Sequence, residues 1–360
     1  MKIKLSRKEI FYGPAGLLLA LFGFGWFKLS QYWGAQAEGM RRIGQGLGNL
    51  LCRLWSIVPF PVSELVWVGG IAAALIVTVM MTVRRGFSGF LGALSRLLLA
   101  GGMIYALFSV VFLTQYSAPP LAEHLGLDSG KHTVEELAAT ARKVADELNT
   151  YAQLVDRDTE GLFAPHSYDQ LAEAVQGSYR AGSMAQLYSR GAGIAPKEAV
   201  LLSRIMSWVS ITGYYFPITG ESIVSGDLIE TSIPFTIAHE TAHSFGIGPE
   251  KEANFAAFLC CVESGDAELT YSALFNGYIS LHNALFNADR EQWRTVYGSL
   301  SQPVLDDLAA KSAHLEKYEG KLNDFGSSVN DAYIKSTGQP DGVRSYGLMV
   351  DLLISYYQDR

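Results

Sequence analysis

Three uncharged apolar runs in the first third of the chain constrain its fold more than any other feature. They read "IFYGPAGLLLALFGFGWF" at 10–27, "LVWVGGIAAALIVTVMMTV" at 65–83 and "LLLAGGMIYALFSVVFLTQY" at 97–116. Each is close to the roughly 20 residues that cross a bilayer as a helix. They are apolar on every face and follow one another, whereas a helix in a soluble core keeps a polar side. The expectation is a membrane region over 1–120 with three transmembrane helices at about 10–28, 65–83 and 97–116.

Flanking charges give the orientation. Lys2, Lys4, Arg7 and Lys8 precede the first run, and Arg84, Arg85 and Arg96 lie between the second and third. Basic segments stay on the cytoplasmic side, so the chain after Tyr116 is expected outside the cytoplasmic membrane. The loop between the first two runs carries Arg41, Arg42 and Arg53, which reduces the asymmetry without reversing it. Its stretch "GMRRIGQGLGNLLCRLWSIV" reads as an amphipathic segment lying in the interface. A cleaved signal peptide is the rival for the first run, with "AQA" at 35–37 as its small-residue site, and it leaves the later domain on the same side.

From 121 to 360 the composition is that of a soluble domain, after "SAPP" at 117–120. Thr133, with Glu136 three residues on, predicts a capping box and a helix over "TVEELAATARKVADELNTYAQL". "SYDQLAEAVQGSYR" and "APKEAVLLSRIMSWVS" have helical patterns, and "ITGYYFPITGESIV" reads as a strand that Pro217 confines to an edge or to the strand's end. Cys52 and the adjacent Cys260 and Cys261 form no disulfide framework and read as buried thiols. His124, His132, His166 and His314 lie in polar contexts and read as surface residues. A net charge of −7, with no basic stripe outside the membrane flanks, argues against a nucleic-acid partner.

The chemistry concentrates in "FTIAHETAHSFGIGPEKEANFAAFLCC", residues 235–261. On a helix His239 and His243 share a face one turn apart and can present both imidazoles to one metal ion, with Glu240 projecting beside them. This is the HExxH arrangement, in which neutral imidazoles bind Zn²⁺ and the glutamate acts as general base. About one chain in a hundred of this length carries it by chance, so its context has to decide. Gly246, Gly248 and Pro249 end that helix, reverse the chain and start another, which brings Glu250 and Glu252 near the histidines. Either acid is a candidate third ligand, and a fourth position has to stay open for water and substrate.

The segment Glu250 to Asn254 resembles the E-x-x-x-D pattern of gluzincin peptidases. That resemblance implies Glu250 as the third zinc ligand and Asn254, in place of the usual aspartate, as the residue that orients a ligand histidine. With "GYYFPITGES" before it and "VNDAYIKSTGQPDGVRSYGLMVDLL" near the end, the chain also resembles a family of uncharacterised bacterial membrane proteins that join N-terminal spans to a zincin-like domain. The fold class expected is an α-helical membrane N-terminus followed by a mainly α (α+β) zincin-like domain with a small β-sheet edge. The activity implied is that of a zinc metallopeptidase acting on a peptide or protein substrate at the lipid bilayer. Glu240 is its general base, and Tyr346 is preferred over Arg344, Tyr333 and His282 as second donor to the developing oxyanion. The strand "ITGYYFP" offers an edge to an extended peptide. The competing reading is a non-catalytic zinc-containing membrane scaffold. Retention of Glu240 argues against it, because a structural site has no use for that carboxylate.

Overall fold

The computed structural model describes residues 5–33, 35–127, 132–336 and 349–358, and these are mostly helical. They divide into two compact units. One comprises Met1–Ala118 together with Phe216–Glu221, and the other Pro119–Tyr215 together with Ser222–Arg360.

The first unit contains α1 (Arg7–Tyr32), α2 (Ala35–Trp55), α3 (Val62–Arg85) and α4 (Phe87–Val111), followed by a 3₁₀ turn at Leu113–Ser117. Three of these helices are long and apolar enough to cross a membrane: Arg7–Tyr32, Val62–Arg85 and Phe87–Ser117. The third begins about ten residues before the expected boundary, because "FSGFLGALSR" continues the helix and Arg96 lies within it. Glycines let α1 and α4 approach closely. A Cβ on Gly102 would lie 2.1 Å from the Gly16 carbonyl oxygen, and one on Gly16 would lie 2.2 Å from that of Leu98. One end of the bundle is fastened by charge. Glu9, in a capping box with Ser6, accepts hydrogen bonds from Arg85 at 2.7 and 2.9 Å and from Arg96 at 2.8 Å. The segment between the first two apolar helices forms α2, which exposes Ile43, Leu50 and Leu54, spaced for one face. That pattern suits a helix lying in the membrane interface.

Phe216–Glu221 also belongs to this unit. The Glu221 carboxylate accepts from the backbone N–H groups of Val62 and Ser63 at 3.1 and 2.8 Å, which satisfies otherwise unpaired donors at the start of α3. Gly220 has φ +69°, and a Cβ there would lie 2.3 Å from the Gly48 carbonyl, so only glycine fits.

The second unit contains α5 (Leu121–Leu125), α6 (Val134–Tyr151), α7 (Tyr168–Ala181), α8 (Ala185–Tyr188), β1 (Lys197–Glu198), α9 (Ser203–Trp208), β2 (Gly213–Phe216) and β3 (Glu221–Val224). It continues with α10 (Ile233–Ser244), α11 (Glu250–Val262), α12 (Ala267–Ala288), α13 (Arg290–Tyr297), α14 (Gln302–Glu316), α15 (Lys321–Ser336) and α16 (Met349–Gln358). The Thr133–Glu136 capping box forms at the start of α6 as expected. Two expectations are corrected. "APKEAVLLSRIMSWVS" is helical only at α9: Pro196 favours extended backbone before it, and Lys197 and Glu198 pair in parallel with Ile223 and Val224. The single strand expected over "ITGYYFPITGESIV" is divided in two, because Pro217 and the positive φ of Gly220 make a turn. The sheet order is β1-β3-β2, which leaves β2 at an edge.

The core lies between α10, α11 and α12, with α6, α7 and α16 around them. Ile237, Ala238, Ala242, Phe255, Phe258, Leu269 and Phe275 are buried there. Cys52, Cys260 and Cys261 are buried, and none forms a disulfide among the described residues. Two histidines read as surface residues are partly covered instead. His132 Nε2 lies 3.2 Å from Ser355 Oγ on α16, and His314 Nε2 lies 3.0 Å from the Asp227 carbonyl.

Candidate metal centre

Helix α10 carries the two histidines through the middle of the core. Pro234 occupies its first turn, where a missing N–H costs nothing, and Tyr179 on α7 donates to the Ala238 carbonyl at 2.9 Å. The helix stops at Ser244. Gly246, with φ +100°, turns the chain, the Ile247 N–H closes back on the Ala242 carbonyl at 3.2 Å, and α11 starts at Glu250. This short turn places the first residue of α11 against the Nε2 atoms of the two imidazoles.

His239, His243 and Glu250 offer ligand atoms that all lie within 4.8 Å of one another. Their separations are 3.1 Å between the two Nε2 atoms, 3.3 Å from His239 Nε2 to Glu250 Oε2, and 3.6 Å from His243 Nε2 to the same oxygen. A tetrahedral ion with bonds of about 2.0–2.1 Å holds its ligand atoms about 3.3–3.4 Å apart, so the triangle fits such an ion without rearrangement. Two imidazole nitrogens and one carboxylate oxygen form a donor set suited to zinc and other divalent transition metals. His243 Nδ1 lies 2.7 Å from the Ile247 carbonyl, which in the neutral ring accepts a hydrogen bond from Nδ1–H and so leaves the lone pair on Nε2, the atom that faces His239 and Glu250. Asn254 is near enough to His239 to raise its basicity, although among the described residues no well-formed hydrogen bond reaches Nδ1 of that ring.

The electrostatics follow from burial. Burial opposes protonation of His243, but the adjacent Glu250 charge outweighs it and pushes the imidazole up to about 9. Burial likewise opposes the Glu250 charge, and the two histidines overcome it, holding the carboxyl well below the usual range. Burial lowers His239, against the pull of Glu250.

Glu240 is only 2% exposed and lies outside the ligand triangle. Burial raises its pKa to about 8; His243 pulls it down and the Glu250 charge adds to the rise. Its Oε2 has no hydrogen-bond partner among the described residues. Its backbone carbonyl accepts from Ser222 Oγ on β3 at 2.9 Å. On the neighbouring strand, a Cβ on Gly213 would lie 2.4 Å from Glu240 Oε1, so the β2 backbone rests directly on the carboxylate. Sequence reasoning did not single out Gly213. The available signal was a glycine opening a strand, which marks close backbone approach.

Glu252, the other candidate ligand, takes no part in the cluster. It accepts a hydrogen bond from the Leu121 backbone, and burial raises its pKa to about 7. His282 accepts from Trp293 Nε1 at 3.1 Å and is likewise not a member. Tyr346 and Arg344 lie outside the described residues, as does the side chain of Tyr333.

The sequence matches the model of the family described as "Protein of unknown function (DUF3810)" over residues 41–354. The chain belongs to the DUF3810 family. No curated protein and no solved structure matches it. The matched span of this DUF3810 chain includes two of its three apolar helices and the whole His-His-Glu group.

Proposed function

We propose that the chain is a membrane-anchored, zinc-dependent peptidase. The observation that carries this reading is the pairing of a His-His-Glu triangle with a fourth buried carboxylate, Glu240, whose Oε2 has no protein partner among the described residues. An unsatisfied buried acceptor costs folding energy, and such groups persist where they serve a reaction. His239, His243 and Glu250 would hold the ion, and a zinc ion bound there would supply Lewis acidity for activating water and polarising a scissile carbonyl. Glu240 takes the proton of the attacking water and returns it to the leaving amine. Strand β2, at the sheet edge and resting on Glu240, offers its backbone to an extended peptide. Tyr346 is proposed as donor to the developing oxyanion on the sequence argument alone. The basic residues flanking the spans support an extracytoplasmic position for the metal domain, which protease digestion of intact spheroplasts tests.

One observation favours a second reading, a non-catalytic zinc-containing membrane scaffold: His239, Glu240, His243 and Glu250 are all buried. The unpartnered Glu240 oxygen weighs against it. The deciding experiment incubates zinc-loaded wild type and Glu240→Gln with a mixed peptide library. Cleavage by wild type that Glu240→Gln lacks supports the peptidase. Zinc bound equally by both, with no Glu240-dependent cleavage, supports the scaffold.

A further inference from the structure

Helix α9 is inverted relative to an ordinary surface helix. Met206 points into a small core with Ala199 and Ile223, while Ile205 and Trp208, three residues apart on one face, are 53% and 47% exposed. Ile211 continues the exposed apolar surface. Helix α15 lies alongside. A Cβ on Gly326 would fall 2.5 Å from the Val209 carbonyl, and the Asn323 amide donates to Ser210 Oγ. Two turns of α15 expose Leu322 and Val329, seven residues apart, at 59% and 52%. The two elements that meet at Val209, Ser210, Asn323 and Gly326 thus both present large apolar side chains outward, the kind of surface that marks an interaction site.

We infer that this face of the second unit is seated in the membrane interface, its occupant being the lipid of the bilayer crossed by α3 and α4. Chain connectivity supplies the argument. Ile211 is five residues from Phe216, and an extended chain covers at most about 3.5 Å per residue, so about 17 Å separates them at most. Within the first unit Phe216 packs on Trp67, in the second turn of the apolar helix α3, with ring centroids 5.6 Å apart. Covalent connectivity therefore keeps Ile211 at most about 17 Å from Phe216, the residue that packs on the apolar helix α3. Because α3 and α4 are joined by a short turn, the start of α3 and the exit of the chain toward Pro119 face the same side of the membrane. A tryptophan among aliphatic residues, with the exposed Arg204 beside it, suits the headgroup boundary of anionic lipid.

The test uses the full chain in phosphatidylethanolamine–phosphatidylglycerol vesicles. Trp208→Cys, Leu322→Cys and Ile205→Cys each carry an environment-sensitive fluorophore, with Ala288→Cys as an exposed control on α12 and the buried native cysteines left in place. Each labelled protein is first required to keep the elution profile and melting temperature of the wild type in detergent, and three sites guard against the loss of any one. The expected result is quenching by nitroxide lipids at positions 205, 208 and 322, with iodide quenching at least about threefold weaker than at 288. Iodide quenching equal to the control, without nitroxide quenching, overturns the inference by showing a face in water. Protection from both quenchers also overturns it, by showing a face covered by protein.

Discussion

Replacing Gly213 by alanine places a methyl group against the proposed general base. The added Cβ would stand 2.4 Å from Glu240 Oε1 and 2.8 Å from its Cδ and Cγ, whereas ordinary contact begins near 3.4 Å. Relief requires a movement of about 1 Å by either strand β2 or a carboxylate that is only 2% exposed. Overpacking of this size costs about 1–3 kcal/mol. For a unit of roughly 240 residues this lowers the melting temperature by about 2–12 °C. Glu240→Ala removes every atom in the clash, so Gly213→Ala should cost close to nothing in that background. The coupling energy between the two sites then equals nearly the whole cost of the single variant. Thermal unfolding of the four proteins of this cycle in one detergent measures it. Additive effects would refute the reasoning, by showing that the Gly213→Ala strain arises somewhere other than Glu240.

Further outcomes follow from the same contacts. Glu240→Gln should leave stability unchanged or raise it by about 1 kcal/mol, because it removes a buried, incompletely satisfied carboxylate; a clear drop in melting temperature would contradict this. Glu250→Gln should weaken metal binding at least tenfold more than Glu252→Gln in chelator competition, since Glu252 is engaged with the Leu121 backbone. Gly102→Ala should destabilise the first unit by about 1–3 kcal/mol in detergent melts, whereas Gly101→Ala, whose Cβ meets nothing within 4 Å, should be neutral. Lys311 donates to Ser232 and Asn276, and burial lowers its pKa to about 8. The unfolded chain therefore binds more protons between about pH 8 and 10.5, and stability from this group rises with pH across that window. The advantage of Lys311→Met at pH 7, on the order of 1–2 kcal/mol after allowing for its partial exposure, should shrink toward pH 10.5; an advantage independent of pH would contradict the assignment.

Local signals were legible where one dominated. Uniform apolarity located the three helices that are long and apolar enough to cross a membrane, the Thr133 capping box fixed the start of α6, and the spacing of His239 and His243 put both rings on one face. Glycine and proline between them marked the turn that brings Glu250 back. What escaped depended on long-range pairing. Lys197 and Glu198 sit in a segment with helical periodicity, and their pairing with the distant Ile223 and Val224 holds them extended. Glu250 and Glu252 have equal claims by composition; the packing of α11, which turns one to the histidines and the other to Leu121, separates them. The contact of Gly213 with Glu240 joins positions 27 residues apart that no periodicity connects. His132 looked like a surface residue because nothing local reveals that α16 returns to cover it.

Crystals of the zinc-loaded protein, measured on both sides of the zinc absorption edge, test the central claim most directly. One anomalous peak per chain is predicted, about 2.0–2.2 Å from His239 Nε2, His243 Nε2 and a Glu250 carboxylate oxygen, with Glu240 outside bonding distance. No peak between the two histidines, or a peak bonded to Glu252 or to Glu240 in place of Glu250, would contradict it.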